Sequence, residues 1–218
     1  MIIRRSTAAD QPTLQTLWQE VFGDPPAFTG QFYETFGADC ALVAEENGKV
    51  MAMIHPLPVA LAQNGQYSFG VYIYALATAP AYRGRGIASA LLQAAETAPF
   101  ASPPTLDKIT AIEEGLVEIR RDTPAFSLLI PGEESLFAYY RMRGYERGAK
   151  VVSHEAENYR DQLRQGTGCE PIFLKPEPFY TFSRRINEPV PPPLEHGLWK
   201  PLTPDLTERE PILSHFMQ

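Results

Sequence analysis

Apolar residues recur along this chain at two spacings, and the spacing divides it into elements. Leu14, Leu17, Trp18, Val21 and Phe22 fall at i, i+3, i+4, i+7 and i+8, the pattern of a helix with one apolar face. Polar residues 6–10 offer caps ahead of it, Pro12 is tolerated in a first turn, and Gly23-Asp24-Pro25-Pro26 stops it. Phe28, Phe32 and Phe36 repeat every four residues and predict a second short helix. Residues 2–5 and 40–45 are strand candidates on either side of this pair. Asn47-Gly48 is a hairpin signal, because both central positions of a type I′ turn need positive φ. Residues 49–55 form the returning strand, Pro56 and Pro58 mark a bend or an edge, and 59–62 continue extended. Asn64-Gly65 offers a second turn before a long strand over 66–78, so the pattern is a three-stranded antiparallel meander.

Pro80 ends that strand. Residues after Gly86 are strong helix formers, with Ile87, Leu91 and Ala94 or Ala95 on one face, and Pro99, Pro103 and Pro104 forbid continuation. Ile109, Ile112, Leu116 and Ile119 predict another helix over 107–121. Residues 125–130 are a short apolar strand. Pro131-Gly132-Glu133-Glu134 turns it into a helix over 135–143, with Gly144 as its C-cap. Strands over 148–154, 172–174 and 179–185, a Pro-rich linker over 188–193 and one short helix after it complete the pattern.

Composition sharpens this in three ways. Proline is 21 of 218 residues, about twice the usual ~5%, which argues against a helix bundle. Eleven lie in residues 1–150 and ten in 151–218, so the first part has the look of one compact domain and the last is looser. No apolar run approaches the ~18 residues of a membrane span, and the N-terminus lacks the order of a signal peptide. A cytoplasmic protein with no membrane partner is expected. The net charge of −7 argues against nucleic acid as a partner and tolerates a cationic small substrate. Cys40 and Cys169 cannot make a disulfide framework and suit a reducing compartment.

The chemistry-bearing stretch is strand, short loop, Arg83-Gly84-Arg85-Gly86-Ile87-Ala88, helix. A helix N-terminus presents about four unpaired N–H groups and a partial positive charge. Glycines ahead of it let backbone approach an anion, and two arginines add charge, which together describe a pyrophosphate cradle. A tight strand-to-helix turn with solvated arginines fits the glycine spacing equally well. The Walker pattern is absent, since no Gly-Lys-Ser/Thr exists here. The dinucleotide fingerprint fails because Ser89 occupies its third glycine and the strands ahead read as antiparallel.

Residues 74–88, Tyr-Ala-Leu-Ala-Thr-Ala-Pro-Ala-Tyr-Arg-Gly-Arg-Gly-Ile-Ala, resemble the acyl-CoA motif of the GNAT superfamily of N-acyltransferases. That motif is Gln/Arg-x-x-Gly-x-Gly/Ala and here is Arg83-x-x-Gly86-x-Ala88. The order of elements agrees over roughly residues 1–155, the expected acetyltransferase core. Residues 156–218 are expected to add closing strand(s) and a Pro-rich extension of the same domain. The resemblance implies a mixed α/β (α+β) fold: a mainly antiparallel central sheet flanked by helices, with splayed parallel strands at the CoA site. It implies acetyl-CoA as cosubstrate, held at its pyrophosphate by Arg83, Gly84, Arg85, Gly86, Ile87 and Ala88. The backbone of Leu76, Ala77 and Thr78 would hold the pantetheine arm.

The implied activity is transfer of an acetyl group to a primary amine, small-molecule or peptide, by direct attack in a ternary complex. The alternative is a GNAT-like protein that binds CoA without turnover. Tyr140 stands four residues before Gly144, with Tyr145 as the aromatic of a Gly-aromatic pair, and is the implied donor of a proton to the CoA sulfur. Its other reading is an aromatic packed beside Tyr139 and Phe137. Candidates for a general base are Glu45, His55 and Glu113, each with a structural alternative. His154 and His196 have no partner at metal-ligand spacing, so no metal is expected. The acceptor is left open, and so is a homodimer.

Overall fold

The computed structural model describes residues 1–63, 66–100, 117–118, 121–145, 147–151, 172–174 and 195–203. In chain order its main elements are β1 (Ile2–Arg5), α1 (Gln11–Phe22), α2 (Pro26–Phe36), β2 (Leu42–Glu46), β3 (Lys49–Gln63), β4 (Gln66–Thr78) and α3 (Ile87–Thr97). Then follow β5 (Val117–Glu118), β6 (Phe126–Leu129), α4 (Glu134–Arg141), β7 (Arg147–Val151), β8 (Ile172–Leu174) and β9 (Glu195–Pro201).

β2, β3 and β4 form the expected antiparallel meander, with β1 outside β2. Asn47 and Gly48 turn the first hairpin at φ 53° and 75°, as a type I′ turn requires. Residues 64–65, at the second turn, lie outside the described residues. On its other edge β4 pairs in parallel with β5 and then with β6. β9 lies between β6 and β7, antiparallel to both, and β8 joins β7 to the far end of β3. The pairings therefore close on themselves through β3, β8, β7, β9, β6 and β4. The fold is the mixed, mainly antiparallel sheet with flanking helices that the resemblance implied.

Three elements depart from the sequence pattern. β3 runs unbroken through Pro56 and Pro58, where a bend or an edge is expected. Its outer edge is taken by β2 up to Ile54 and by β8 from Ala60. The prolines fall in the gap between, where the missing amide donors cost the ladder nothing. The helix expected over 107–121 lies mostly outside the described residues, but Val117 and Glu118 are a strand, paired with Gln66 and Tyr67 on the β4 edge. Residues 195–201 are a further strand, β9, which the local pattern did not mark; the short terminal helix expected in the last 25 residues would fall largely in 204–218, outside the described residues. The strand expected over 179–185 and the linker over 188–193 lie outside the described residues.

Alternation along the strands splits the core between two faces. Val43, Met53, Tyr72, Leu128 and Trp199 pack with Leu14, Leu17, Trp18, Phe32 and Tyr33 of α1 and α2. Leu42, Ile54, Ile73, Leu129 and Leu198 pack with Ile87, Leu91 and Leu92 of α3 and with Tyr140 of α4. β2, β3, β4, β6 and β9 thus each feed both layers, and the helices that cover the two faces come from opposite sides of the β4 turn.

Candidate functional site

The loop after β4 is a short 3-10 turn, Pro80–Tyr82, followed by Arg83 to Gly86 and the start of α3. Gly84 and Gly86 have φ of 77° and 76°, a conformation glycine adopts without penalty. A side chain at either would meet no protein atom within 4 Å, so the space in front of the loop is open. Gly86 caps α3 with no side-chain hydrogen bond, and the first helical bond runs from Ala90 N–H to the Gly86 carbonyl. The amides of Ile87, Ala88 and Ser89 therefore have no acceptor within the helix. The two arginines behave differently. Arg85 pairs with Glu46 across the β2–β3 hairpin at 3.2 Å and lies over the Tyr82 ring. Arg83 donates from Nε to the Thr78 carbonyl at 3.2 Å.

Beside the loop, β4 parts from β6. The parallel pairing runs from Val71 with Ser127 to Ile73 with Leu129 and stops. Leu76, Ala77 and Thr78 lie past that point, with β3 on one side and, among the described residues, no strand on the other. The β3–β4 ladder is irregular at the same place: Met53 pairs with Ala77 but His55 pairs with Tyr74, so β4 carries one extra residue. Ala75 has φ 45°, and Tyr74 and Ala75 both pack on the α1–α2 face. That is a β-bulge, with local bending and added twist. No sequence signal marks it, since alanine rarely takes positive φ.

Tyr140 reaches this cleft from α4. It shares a buried cluster with Ile87 of the cradle helix and with Ile73 and Leu129 at the last β4–β6 pair. Its ring stands edge-on to Tyr139 and Tyr145, and no hydrogen bond engages its hydroxyl among the described residues. Burial pushes the phenol up to about 12, while the Arg143 charge pulls the other way. The group is protonated at neutral pH and able to donate. α4 ends two residues earlier than expected, and Gly144 (φ 86°) closes it. Tyr145 N–H bonds the Tyr140 carbonyl and Gly144 N–H the Arg141 carbonyl, the Schellman pattern.

A polar network that sequence reasoning missed fixes these parts together. The Tyr145 hydroxyl donates to Glu96 of α3 at 2.7 Å and so accepts from Ser127 of β6 at 2.6 Å. Lys200 of β9 pairs with Glu96 at 2.8 Å and donates to the Arg143 carbonyl at 3.0 Å. Arg143 donates to Ser89 Oγ and to the Tyr139 carbonyl and stacks on the Tyr139 ring. The one local signal was Ser127, a hydroxyl inside an apolar strand.

Of the expected base candidates, Glu45 is held by Arg4 at 2.7 Å, and Glu113 lies outside the described residues. His55 is wholly buried among Trp18, Phe32 and Tyr33. Burial lowers its pKa from 6.5 to about 4, so it is neutral in the fold. Between pH 6.5 and 4 the unfolded chain binds a proton that the folded chain refuses. Stability therefore falls with acid across that window, by about 3 kcal/mol at 1.36 kcal/mol per pKa unit. Urea unfolding at pH 7 and pH 4.5 should show this loss in the wild type and not in His55→Leu. Equal losses in the two proteins would remove His55 as its source.

Among the described residues no helix is long and apolar enough to cross a membrane. The chain matches the acetyltransferase (GNAT) domain over residues 2–115. A comparison with curated proteins returns no match. A GCN5-related N-acetyltransferase from Anabaena variabilis has 19% identity and a TM-score of 0.50, the match covering 75% of this chain and 42% of that one. A GCN5-related N-acetyltransferase from Kribbella flavida has 12% identity and a TM-score of 0.52, covering 86% of this chain and 50% of that one. The chain spans half the length of these structures or less, and at such identities the likeness is one of fold. The domain match takes in more than half of the sequence, including the open cradle and the strand that leads to it, and on that ground the chain belongs to the GNAT acetyltransferase family.

Proposed function

We propose that this protein transfers an acetyl group from acetyl-CoA to a primary amine by direct attack in a ternary complex, in the cytoplasm. The observation that carries the reading is the uncapped start of α3 behind two positive-φ glycines, opening beside the edge where β4 leaves β6. Acetyl-CoA supplies an activated acyl carbon and a thiol leaving group. The residues fit it. The free amides of Ile87 and Ala88, with Gly84 and Gly86 giving close approach, suit a pyrophosphate. Arg83 and Arg85 add positive charge at the same loop. The edge of Leu76, Ala77 and Thr78, beside which no strand lies among the described residues, offers backbone groups to an extended arm. A backbone N–H at the bulge can meet the thioester oxygen as charge develops there. Holding both reactants in one cleft supplies much of the rate.

Tyr140 is assigned the hydrogen bond to the departing sulfur. A phenol near 12 is a weaker acid than a thiol near ~8.5, so it supports the sulfur by donating rather than by complete transfer. Tyr140→Phe should lower kcat about 100-fold and keep the acetyl-CoA-dependent shift in Tm. Thiol release across an amine panel, followed over pH, measures this; an unchanged rate at every pH would sink the role.

A second reading, CoA binding without turnover, draws on the base candidates. Glu45 is ion-paired and His55 is closed off from solvent. Thiol release by the wild type with any amine excludes it.

A further inference from the structure

The turn that ends α4 carries a cation whose partners are all neutral. Arg143 is half-buried. Its Nε and Nη2 both donate to Ser89 Oγ, at 3.1 and 2.8 Å, and its Nη1 donates to the Tyr139 carbonyl at 2.7 Å. Its guanidinium carbon stands 3.4 Å from the centre of the Tyr139 ring, a stacking distance. Among the described residues no carboxylate pairs with it. The planar fork that usually grips a carboxylate or a phosphate is spent here on one serine oxygen. Charge pairing does not explain the contact. Shape does, because a planar fork fixes both the distance and the angle between the two helices it joins.

Those helices carry the two ends of the site. Ser89 is the third residue of α3, in the turn whose amides front the cradle. Tyr139 precedes Tyr140, so the carbonyl and ring that Arg143 holds belong to the turn of α4 that bears the candidate proton donor. The Tyr139 hydroxyl adds a longer tie, 3.5 Å from Ser89 Oγ. Ile87 and Tyr140 also share apolar packing, but apolar burial has no direction. The bonds of Arg143 have one.

We propose that Arg143 is a positioning residue that fixes Tyr140 relative to the phosphate cradle, so that a donor anchored by its phosphates presents its sulfur at the Tyr140 hydroxyl. The gain in turnover rests on the acetyl-transfer reading; the coupling of α4 to the cradle does not. Arg143 need touch neither phosphate nor sulfur for this role. Only a donor with phosphates to anchor can use it, because binding energy from the remote end then appears at the reacting centre as rate.

The test uses the full chain and two donors, acetyl-CoA and S-acetylpantetheine, the same thioester without phosphates. Arg143→Met keeps an apolar stem and loses the fork. Its kcat for thiol release from acetyl-CoA should fall about 10-fold, as on loss of an outer partner of a site, with KM changed less than about 2-fold. Its kcat with S-acetylpantetheine should stay within about 2-fold of the wild type. Equal losses with both donors, or an unchanged rate with acetyl-CoA, overturn the proposal. Arg143→Lys keeps the charge without the fork and should behave as Arg143→Met; a wild-type rate there overturns the clamp in favour of charge. Ser89→Ala keeps the cradle amide, removes the acceptor and should reproduce the loss, and it carries the comparison where Arg143→Met does not fold. The double variant should be no slower than either single one, whereas losses that multiply would show two independent residues. Amide exchange with ADP, which has a pyrophosphate and no pantetheine arm, separates this proposal from the enzymatic reading. In the wild type ADP should slow exchange about 10-fold, as closure of a local opening would, at 87–90 and at 138–141. In Arg143→Met it should do so at 87–90 alone. No protection at 138–141 in the wild type, or its persistence in the variant, overturns the coupling even where the wild type acetylates amines. Its loss in the variant supports the coupling even where the wild type releases no thiol.

Discussion

Gly86→Glu abolishes acetyl-CoA binding while the protein still folds. Gly86 has φ 76° and caps α3, so any side chain there costs about 1–2 kcal/mol of backbone strain. That strain is tolerable, because the added atoms meet no protein within 4 Å. They enter the open space in front of the loop, where the proposed function puts the phosphates. A carboxylate about 4 Å from a phosphate charge is opposed by about 4 kcal/mol at an effective dielectric near 20. Affinity should therefore fall more than about 1000-fold, since each 1.4 kcal/mol is tenfold. Gly86→Ala carries the strain without the charge and should lose much less. Titration calorimetry with acetyl-CoA measures both, with circular dichroism to show that each is folded. Retained binding in Gly86→Glu would mean that the phosphates sit elsewhere.

The second large effect is on the frame of the cleft. Gly70 lies on β4 opposite Val59, one residue before the parallel pairing with β6 begins. A Cβ there would strike the Phe126 carbonyl oxygen and come within 2.6 Å of two Phe126 ring carbons. The obstacle is backbone at the start of β6, so no rotamer change relieves it. Gly70→Ala must push β6 away from β4 or leave Phe126 out of the core. Phe126 is fully buried and packs against Trp199. Overpacking of this kind costs typically 1–3 kcal/mol, and displacing a buried Phe costs about 3–5 kcal/mol. Gly70→Ala should thus lose about 4 kcal/mol in chemical denaturation or fail to accumulate as folded protein. A loss under about 1 kcal/mol would show that β4 and β6 can slide apart freely.

What could be seen in the sequence was whatever short-range chemistry decides. The Asn47-Gly48 turn, the Gly23 and Gly144 caps and the cradle glycines each need positive φ within two or three residues, and glycine or asparagine announces it. Phe28, Phe32 and Phe36 marked α2 by spacing alone. What could not be seen depends on partners far along the chain. Tyr33 and His55 are separated by 22 residues, Tyr145 and Glu96 by 49, and Arg143 and Ser89 by 54. No periodicity predicts that they meet. Ala75 at positive φ runs against its own propensity, so only the fold reveals it. Pro56 and Pro58 misled for a related reason: a proline is excluded from a strand only by a neighbour on its amide side, and here β2 stops at Ile54 while β8, more than a hundred residues later in the chain, begins at Ala60.

β9 has a consequence for how the molecule is made. It is the last described strand in the chain, yet it lies between β6 and β7 in the sheet. A ribosome delivers β6, α3 and α4 well before residues 195–201 emerge. Throughout that interval the strand beside the cleft carries a bare edge, the kind of surface that pairs with other chains. Lys200 is also missing from Glu96 and from the turn after α4. The N-terminal meander, built from near neighbours, can form at once, but the cleft must wait for long-range closure, the slow kind of folding. A nascent chain halted at residue 194 would therefore be a sticky fragment rather than a weakened enzyme.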